Sequence, residues 1–436
     1  MPPDWHNVNR KTVTSGKFPV MRISLLLSSA ILVFVTSCSG NGTGTSNSDS
    51  TNTTMARNTS DSLPPVETKS PNSNYKPAFP GQTRVAGAKT TTPYKVEKIA
   101  SKIGPPFAIV AMPDGRLMVT IKSGYMEIHD KNGALAKKIT GLPEVVYDGQ
   151  GGLLDVAFDP GFVKNKMTYW CYSERYNGGL LTAVAKGKLD EAAGKIDDIE
   201  VIFRATPATK SNLQYGSRLQ FDKAGDLFVS LGEKFTPDGR VQAQELNSYL
   251  GKIVKITKNG QPAPNTPFAN DQNAKPGIYS YGHRNPEGLD INPVTGELWE
   301  AEFGPRGGDE VNVIRPGKNY GWPVITYGID YSGEKMGDGI QQKAGMEQPV
   351  YYWDPSVSPS GICFYKGDAI PEWKNNLFLA CLSGQHVDRL VIRNNKVVGE
   401  ERLLTDKNQR FRDVTYMDNA LYVISDDGDI YRIEKR

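Results

Sequence analysis

Short apolar stretches separated by polar turns recur along most of this chain. From about residue 94 onward, an apolar run leads into a turn of Asp or Asn with Gly or Pro, and a second apolar run follows. The first instance is Phe107-Ala108-Ile109-Val110, then Pro113-Asp114-Gly115-Arg116, then Leu117-Met118-Val119. The phrase returns as residues 154–158 with 167–170, 218–221 with 227–230, 288–291 with 297–299, 362–365 with 377–380, and 414–416 with 420–424. Each pair predicts a hairpin of β-branched and aromatic residues around turn formers, and no long helical periodicity competes with it. Six units over roughly 340 residues give about 57 each, longer than a minimal four-stranded repeat, so the excess is expected in loops on one face. Radial repetition of small sheets removes unprotected edges. The chain is therefore expected to be all-β, a six-bladed β-propeller over 94–436, closed by pairing Tyr94-Lys95-Val96-Glu97 with the last strand near Ile430-Tyr431-Arg432-Ile433. A pair of β-sandwiches is the competing arrangement.

The N-terminal part reads differently. Met21-Arg22 precedes an apolar run over 23–35, too short to span a bilayer and of the length of a signal-peptide core. It ends in Val35-Thr36-Ser37-Cys38, which resembles the bacterial lipobox. Residues 1–38 are thus expected to be a leader and lipoprotein signal peptide with Cys38 as the lipidation site, and Met21 is a possible true start. Residues 39–93, rich in Ser, Thr, Asn, Gly and Pro, are expected to be a disordered tether, because they offer too little apolar surface to offset chain entropy. This places the protein at the bacterial cell envelope, lipid-anchored and facing the periplasm.

Charge and cysteines narrow the function. A net charge of +3 over 436 residues, without a clustered basic stripe, argues against a nucleic-acid partner. Besides Cys38, only Cys171, Cys363 and Cys381 remain, enough for one disulfide of unspecified pairing or, as small buried hydrophobes, none. The chemistry concentrates in residues 281–323, where three Gly/Pro-framed clusters carry Arg, Asn, Asp and Glu: Gly282-His283-Arg284-Asn285-Pro286, Gly304-Pro305-Arg306-Gly307-Gly308-Asp309-Glu310 and Asn319-Tyr320-Gly321-Trp322-Pro323. Loops of this composition lose stability through unpaired polar groups and mobile glycines unless a ligand uses them. The segments 148–152, 210–218, 232–234 and 410–413 occupy comparable places in their repeats, so convergence on one face is expected.

These motifs, with Gln150-Gly151-Gly152-Leu153-Leu154 and Arg410-Phe411-Arg412-Asp413, resemble the soluble quinoprotein glucose/sorbosone dehydrogenase family, nearest to its periplasmic aldose sugar dehydrogenases. The resemblance runs from about 94 to 436. It implies the six-bladed propeller, the cofactor pyrroloquinoline quinone (PQQ) with Ca²⁺, oxidation of an aldose at C1 to its lactone, and a membrane-linked electron acceptor. It implies cofactor contacts from Gln150, Arg284, Asn285, Arg410 and Arg412. The arginines suit the carboxylates of PQQ, and Arg284 with Asn285 suits the quinone carbonyls. It further implies one Ca²⁺ on the Gly304 and Pro305 carbonyls and a second held by Glu310, the Tyr320 carbonyl and Asp309.

The family's general base, a His ahead of the third repeat, falls on Gln214. None of His6, His129, His283 and His386 lies between 130 and 282. An amide does not take a proton near neutral pH. Lys234 stands where a neutral polar residue is common, and Ser383 where Lys is common. Glu233 and Asp155 are the substitute bases within reach, and His283 belongs to the ordinary family motif. The substitution at 214 raises the alternative of a non-catalytic propeller that binds PQQ, a sugar or a glycan. A propeller lactonase ranks lowest, since no set of metal-ligating side chains spread over all the repeats is evident.

Overall fold

The structure is a computed structural model and describes residues 63–436. Six four-stranded antiparallel sheets follow one another along the chain. The innermost hairpins are Pro106–Ala111 with Leu117–Ile121, Leu153–Phe158 with Met167–Tyr176, Gly216–Phe221 with Leu227–Leu231, Pro286–Ile291 with Leu298–Glu302, Pro359–Phe364 with Leu377–Cys381, and Phe411–Met417 with Ala420–Ser425. These are the six hairpins read from the sequence, and each is the inner half of a blade. The ring closes as expected: Tyr94–Ala100 pairs with Ile430–Lys435, setting Tyr94 opposite Lys435 and Val96 opposite Ile433. The first and last segments therefore share one sheet, and unfolding either end opens the ring.

The hydrophobic core lies between neighbouring blades. Trp299, Val311 and Trp353 of the fourth blade pack with Phe364, Leu379 and Leu390 of the fifth, and Phe378, Val387 and Phe411 join the fifth to the sixth. Strand alternation sends side chains to both faces, and both are covered, so the inner strands are buried along most of their length, charged positions such as Asp155, Arg218 and Glu300 included. All inner strands start at the same end of the central channel, where the second strands of their hairpins finish; Gly216 pairs with Leu231 and Pro286 with Glu302. The loops 148–152, 210–215, 232–236, 281–285, 303–308 and 404–410 therefore share one face.

One expectation changes. Residues 1–62, including Cys38 and the first part of the tether, lie outside the described residues. Residues 63–93 are not a disordered tether but a strap across the outer strands of the fourth and fifth blades. Asn72 and Ser73 donate to the Asp354 carboxylate, Ala88 donates to the Glu400 carbonyl, and Thr90 donates to Glu401. Gln82 is fully buried and Val85 enters the core of the two blades. The segment has few apolar residues because it is held by hydrogen bonds to buried carboxylates and backbone, a source of order that hydropathy does not register. Cys171, Cys363 and Cys381 are buried and unpaired.

Candidate cofactor and active site

One hydrogen-bonded chain crosses the loop face. The Gln150 side-chain oxygen accepts from the Gln214 amide at 2.6 Å. Two residues on, the Gly216 amide donates to Asn285 Oδ1 at 3.0 Å, and Asn285 Nδ2 donates to Glu287 at 2.9 Å. Arg412 Nη1 donates to the other Glu287 oxygen at 3.1 Å. Arg412 Nε and Arg410 Nε then donate to the two oxygens of Asp426 at 2.8 and 2.9 Å. Residues from four blades are thereby held in one network. Burial raises the Asp426 pKa, but Arg412 and Arg410 outweigh it and hold the carboxyl below its ordinary range. The pair stays ionised, with Arg410 half open to solvent.

Arg284 is buried under the loop 303–308. Its Nη1 donates to the carbonyls of Phe303 at 2.9 Å and Gly304 at 2.6 Å, and its guanidinium lies over Trp322, 5.2 Å from the ring centroid. The turn at 304–308 needs glycine for close approach: a Cβ on Gly304 would meet the Gly308 carbonyl at 2.3 Å. The Pro305 carbonyl accepts from Ser356 at 3.3 Å. The third cluster joins through the excursion 315–350, which lies along the outer strand Ile278–Tyr281: the Tyr320 amide donates to the Tyr281 carbonyl and the Trp322 amide to the Gly282 carbonyl. A small cavity of about 10 Å³ is lined by Arg284, Glu302, Gly304, Glu310, Tyr320 and Trp322, so all three clusters meet at one point.

Asp309 and Glu310 separate, correcting their grouping as ligands of one ion. Consecutive strand residues point to opposite faces. The Asp309 oxygens accept from the backbone amides of Gly304 at 2.8 Å, Val357 at 2.7 Å and Ser358 at 2.6 Å, so this side chain ties two loops together. Burial pushes its pKa up to about 6 against those three donors. Glu310 instead faces Glu302 across the hairpin, beside Glu300 and Asn312. Burial, then the Glu302 charge, raises Glu300 and Glu310 well above the carboxylate range. Among the described residues Glu300 Oε1 has no partner. His283 sits against this cluster, its Nδ1 3.3 Å from Glu302 and its ring stacked on Tyr320. Three buried carboxylates with too few donors form an oxygen-rich set that fits a hard divalent cation.

The segment around Gln214 carries uncompensated groups. Gln214 is buried at φ +46°, and its side-chain oxygen has no partner among the described residues. Gly232 packs on it so closely that a Cβ would meet the Gln214 carbonyl at 2.3 Å. Glu233 follows, fully buried, its amide donating to the Arg284 carbonyl and both its oxygens without partners among the described residues. Burial raises its pKa to about 7, opposed by Arg284 and Arg240. Lys234 is also buried, its Nζ 2.9 Å from the Tyr215 ring centroid, and burial pushes it well below the usual lysine range. Asp155 belongs elsewhere. It accepts from the Leu219 amide at 2.8 Å, pairs with Arg218 at 3.5 Å, and lines a cavity of about 420 Å³ at the opposite end of the channel.

The sequence reading overlooked Lys122 and Asp426. Lys122 follows the second strand of the first blade, and its pKa is lowered by burial and by Arg412, which places it beside the arginine pair. Asp426 orients both arginines from the turn after the second strand of the last blade. Neither lies in a recognisable motif; each follows directly on a strand end, which was the available signal. Ser383 bonds to Ser358 at 2.7 Å.

Arginines, buried carboxylates and an amide network thus gather at one mouth of a six-bladed propeller. A glucose/sorbosone dehydrogenase family model matches residues 103–432, and the chain belongs to that family. It is 39% identical over 347 residues to the aldose sugar dehydrogenase YliI of Escherichia coli K12, covering 78% of this chain and 93% of that protein. The crystal structure of the soluble E. coli aldose sugar dehydrogenase in its apo-form superposes with a TM-score of 0.75 at 38% identity, over 79% of this chain and all of that one. The PQQ-bound aldose sugar dehydrogenase of Streptomyces coelicolor gives 0.66 at 25% identity, over 79% of this chain and 99% of that one. The chain is thus homologous to aldose sugar and glucose dehydrogenases, which are oxidoreductases.

Proposed function

We propose that this protein oxidises an aldose at C1 to its lactone using PQQ and Ca²⁺, and passes the electrons to a membrane-linked respiratory acceptor while anchored through Cys38 at the periplasmic side of the cell envelope. The observation that carries the reading is the Gln150–Gln214–Asn285–Glu287–Arg412–Asp426–Arg410 network, which fixes two arginines at the mouth of the channel. PQQ, when bound, supplies an ortho-quinone that accepts the hydride from C1. Arg410 and Arg412 would hold its carboxylates, Arg284 would supply a fixed positive charge for the reduced quinone, and Asn285 would orient the adjoining loop. The carbonyls of Gly304 and Pro305, which now accept from Arg284 and Ser356, would be the donors for a Ca²⁺ at the cofactor, and Glu310 with Glu300 and Glu302 would be those for the second ion. Gln214 donates or accepts a hydrogen bond to the sugar hydroxyl but does not take its proton.

Glu233 is the carboxylate in the segment packed on Gln214, and it is the acceptor for the C1 hydroxyl proton. A base must be unprotonated, so the rate is expected to fall as pH drops below about 7, the value to which burial raises Glu233. In Glu233→Gln this limb of the pH–rate profile is expected to vanish, with kcat lower by about 10²-fold or more. An unchanged profile excludes Glu233.

Gln214 also favours a second reading, a propeller that binds PQQ or a sugar without turnover. Purified protein reconstituted with PQQ and Ca²⁺ and assayed by dye reduction over a panel of aldoses separates the two. Turnover establishes the dehydrogenase, tight PQQ binding without turnover establishes the binding protein, and absence of PQQ binding overturns both.

Calcium is expected to stabilise the fold as well. Glu300 and Glu310 have raised folded-state pKa values, so without metal their contribution is fully present below about 4.5 and is lost as pH rises. Added Ca²⁺ at 100 times its Kd gives about 2.7 kcal/mol. The Tm gain is expected to be larger at pH 8 than at pH 5, measured by calorimetry with and without chelator. An equal gain at both pH values argues against this carboxylate set.

A further inference from the structure

The fifth blade carries a second group of potential ligands, unrelated to the quinone site. The strands Leu377–Cys381 and His386–Arg393 pair with Cys381 opposite His386 and Leu379 opposite Asp388. Directly opposed residues share a face, and residues two apart on a strand share it too, so Cys381, His386 and Asp388 project to the same side. All three are at least 98% buried, and their ligand atoms lie within 4.8 Å of one another.

The surrounding hydrogen bonds leave the facing atoms free. His386 Nδ1 lies 2.8 Å from the Gly384 carbonyl, which can only accept, so Nδ1 carries the proton and Nε2 keeps its lone pair. Asp388 Oδ2 accepts from Trp353 Nε1 at 3.2 Å, which leaves Oδ1. His386 Nε2 has no partner among the described residues, and Asp388 Oδ1 accepts from no amide, hydroxyl or cation there, its carboxyl being bordered by Glu400 and Arg402. The Cys381 sulfur makes only a long contact, 3.7 Å, to the Leu379 carbonyl. Gly384 lets the ring sit where it does, because a Cβ there would meet His386 Cε1 at 2.5 Å.

Leaving an imidazole nitrogen and a carboxylate oxygen buried and unpaired is costly. A metal ion shared by all three removes that cost. We propose that Cys381, His386 and Asp388 bind a zinc ion. Thiolate, imidazole and carboxylate together select zinc over the hard cations that suit the carboxylates around Glu310. Tetrahedral zinc with bonds of roughly 2.0–2.3 Å puts ligand atoms about 3.3–3.8 Å apart, so the three need contract by only about 1 Å. The Gly384 carbonyl and the Trp353 indole are the outer partners that orient imidazole and carboxylate in such sites. On binding, the Cys381 thiol releases its proton to solvent and its sulfur bonds the ion; no electron is transferred.

Full-length protein is loaded with zinc, desalted, and analysed for metal by mass spectrometry. About one zinc per chain is expected in the wild type and in Cys363→Ser, and none above background in Cys381→Ser or His386→Gln. Trp353→Phe, which keeps all three ligands, is expected to weaken zinc binding about 10- to 100-fold in a chelator competition. Should the Cys381 variant fail to fold, wild-type protein titrated with Co²⁺ gives an independent readout, because a bound thiolate produces a near-ultraviolet charge-transfer band. Zinc retention in Cys381→Ser equal to wild type, or a Co²⁺ complex without the thiolate band, overturns the proposal. Neither result depends on PQQ or on turnover.

Discussion

Arg412→Ala is expected to weaken PQQ binding by roughly 30- to several-thousand-fold, corresponding to about 2–5 kcal/mol for truncating one member of a buried, hydrogen-bonded charge set. The effect has two parts. The variant loses a fork-shaped donor for the cofactor's carboxylates. It also strands one oxygen of Asp426 and takes the charged partner from Glu287, which keeps only Asn285 and Ser360 as donors. Arg410→Ala is expected to cost less, because Arg410 is half exposed and serves Asp426 alone. Titration of the apo-protein with PQQ, followed by calorimetry, ranks the two. Wild-type affinity in Arg412→Ala would remove the arginine pair from the cofactor site altogether.

Gln214→His is expected to raise kcat with saturating aldose, because an imidazole there adds a second acceptor beside Glu233; the full worth of a positioned general base, about 10²- to 10⁴-fold, is expected in the Glu233→Gln background. The backbone at 214 has φ +46°, a region His tolerates better than most residues. The Gln214 oxygen satisfies no buried donor among the described residues, so replacing it breaks no hydrogen bond there. Its amide, which bonds Gln150, is unchanged by the substitution. The variant should show a new pH–rate limb near the imidazole pKa of about 6.5, active above it. A variant that binds PQQ as the wild type does but turns over no faster would mean that the base is not what limits the reaction. It would favour Glu233 as a sufficient acceptor if the wild type is active, and the binding reading if it is not.

The six blades were legible because each hairpin announces itself locally. An apolar run, a turn former and a second apolar run are a short-range signal, and closure followed from the leftover strand at 94–97. The strap at 63–93 was not legible, because its order comes from carboxylates some three hundred residues away, such as Asp354 and Glu401. The separation of Asp309 from Glu310 was readable in principle from strand alternation. The sequence reading grouped them because they are adjacent in a motif. Lys122 and Asp426 enter the site only because the ring brings the first and last blades beside each other.

What the amino-acid sequence determined by itself is the repeat, its number, and the residue types available for chemistry, including a glutamine at 214. Those depend on local periodicity and on identity, which are properties of the chain. Which groups meet was decided by the closed ring. Only the packed ring sets Arg412 against Glu287, Gln150 against Gln214, and Glu233 in a pocket whose burial lifts its pKa to about 7. Charge, burial and hydrogen-bond supply depend on neighbours in space, and in a propeller those neighbours come from blades far apart in the chain.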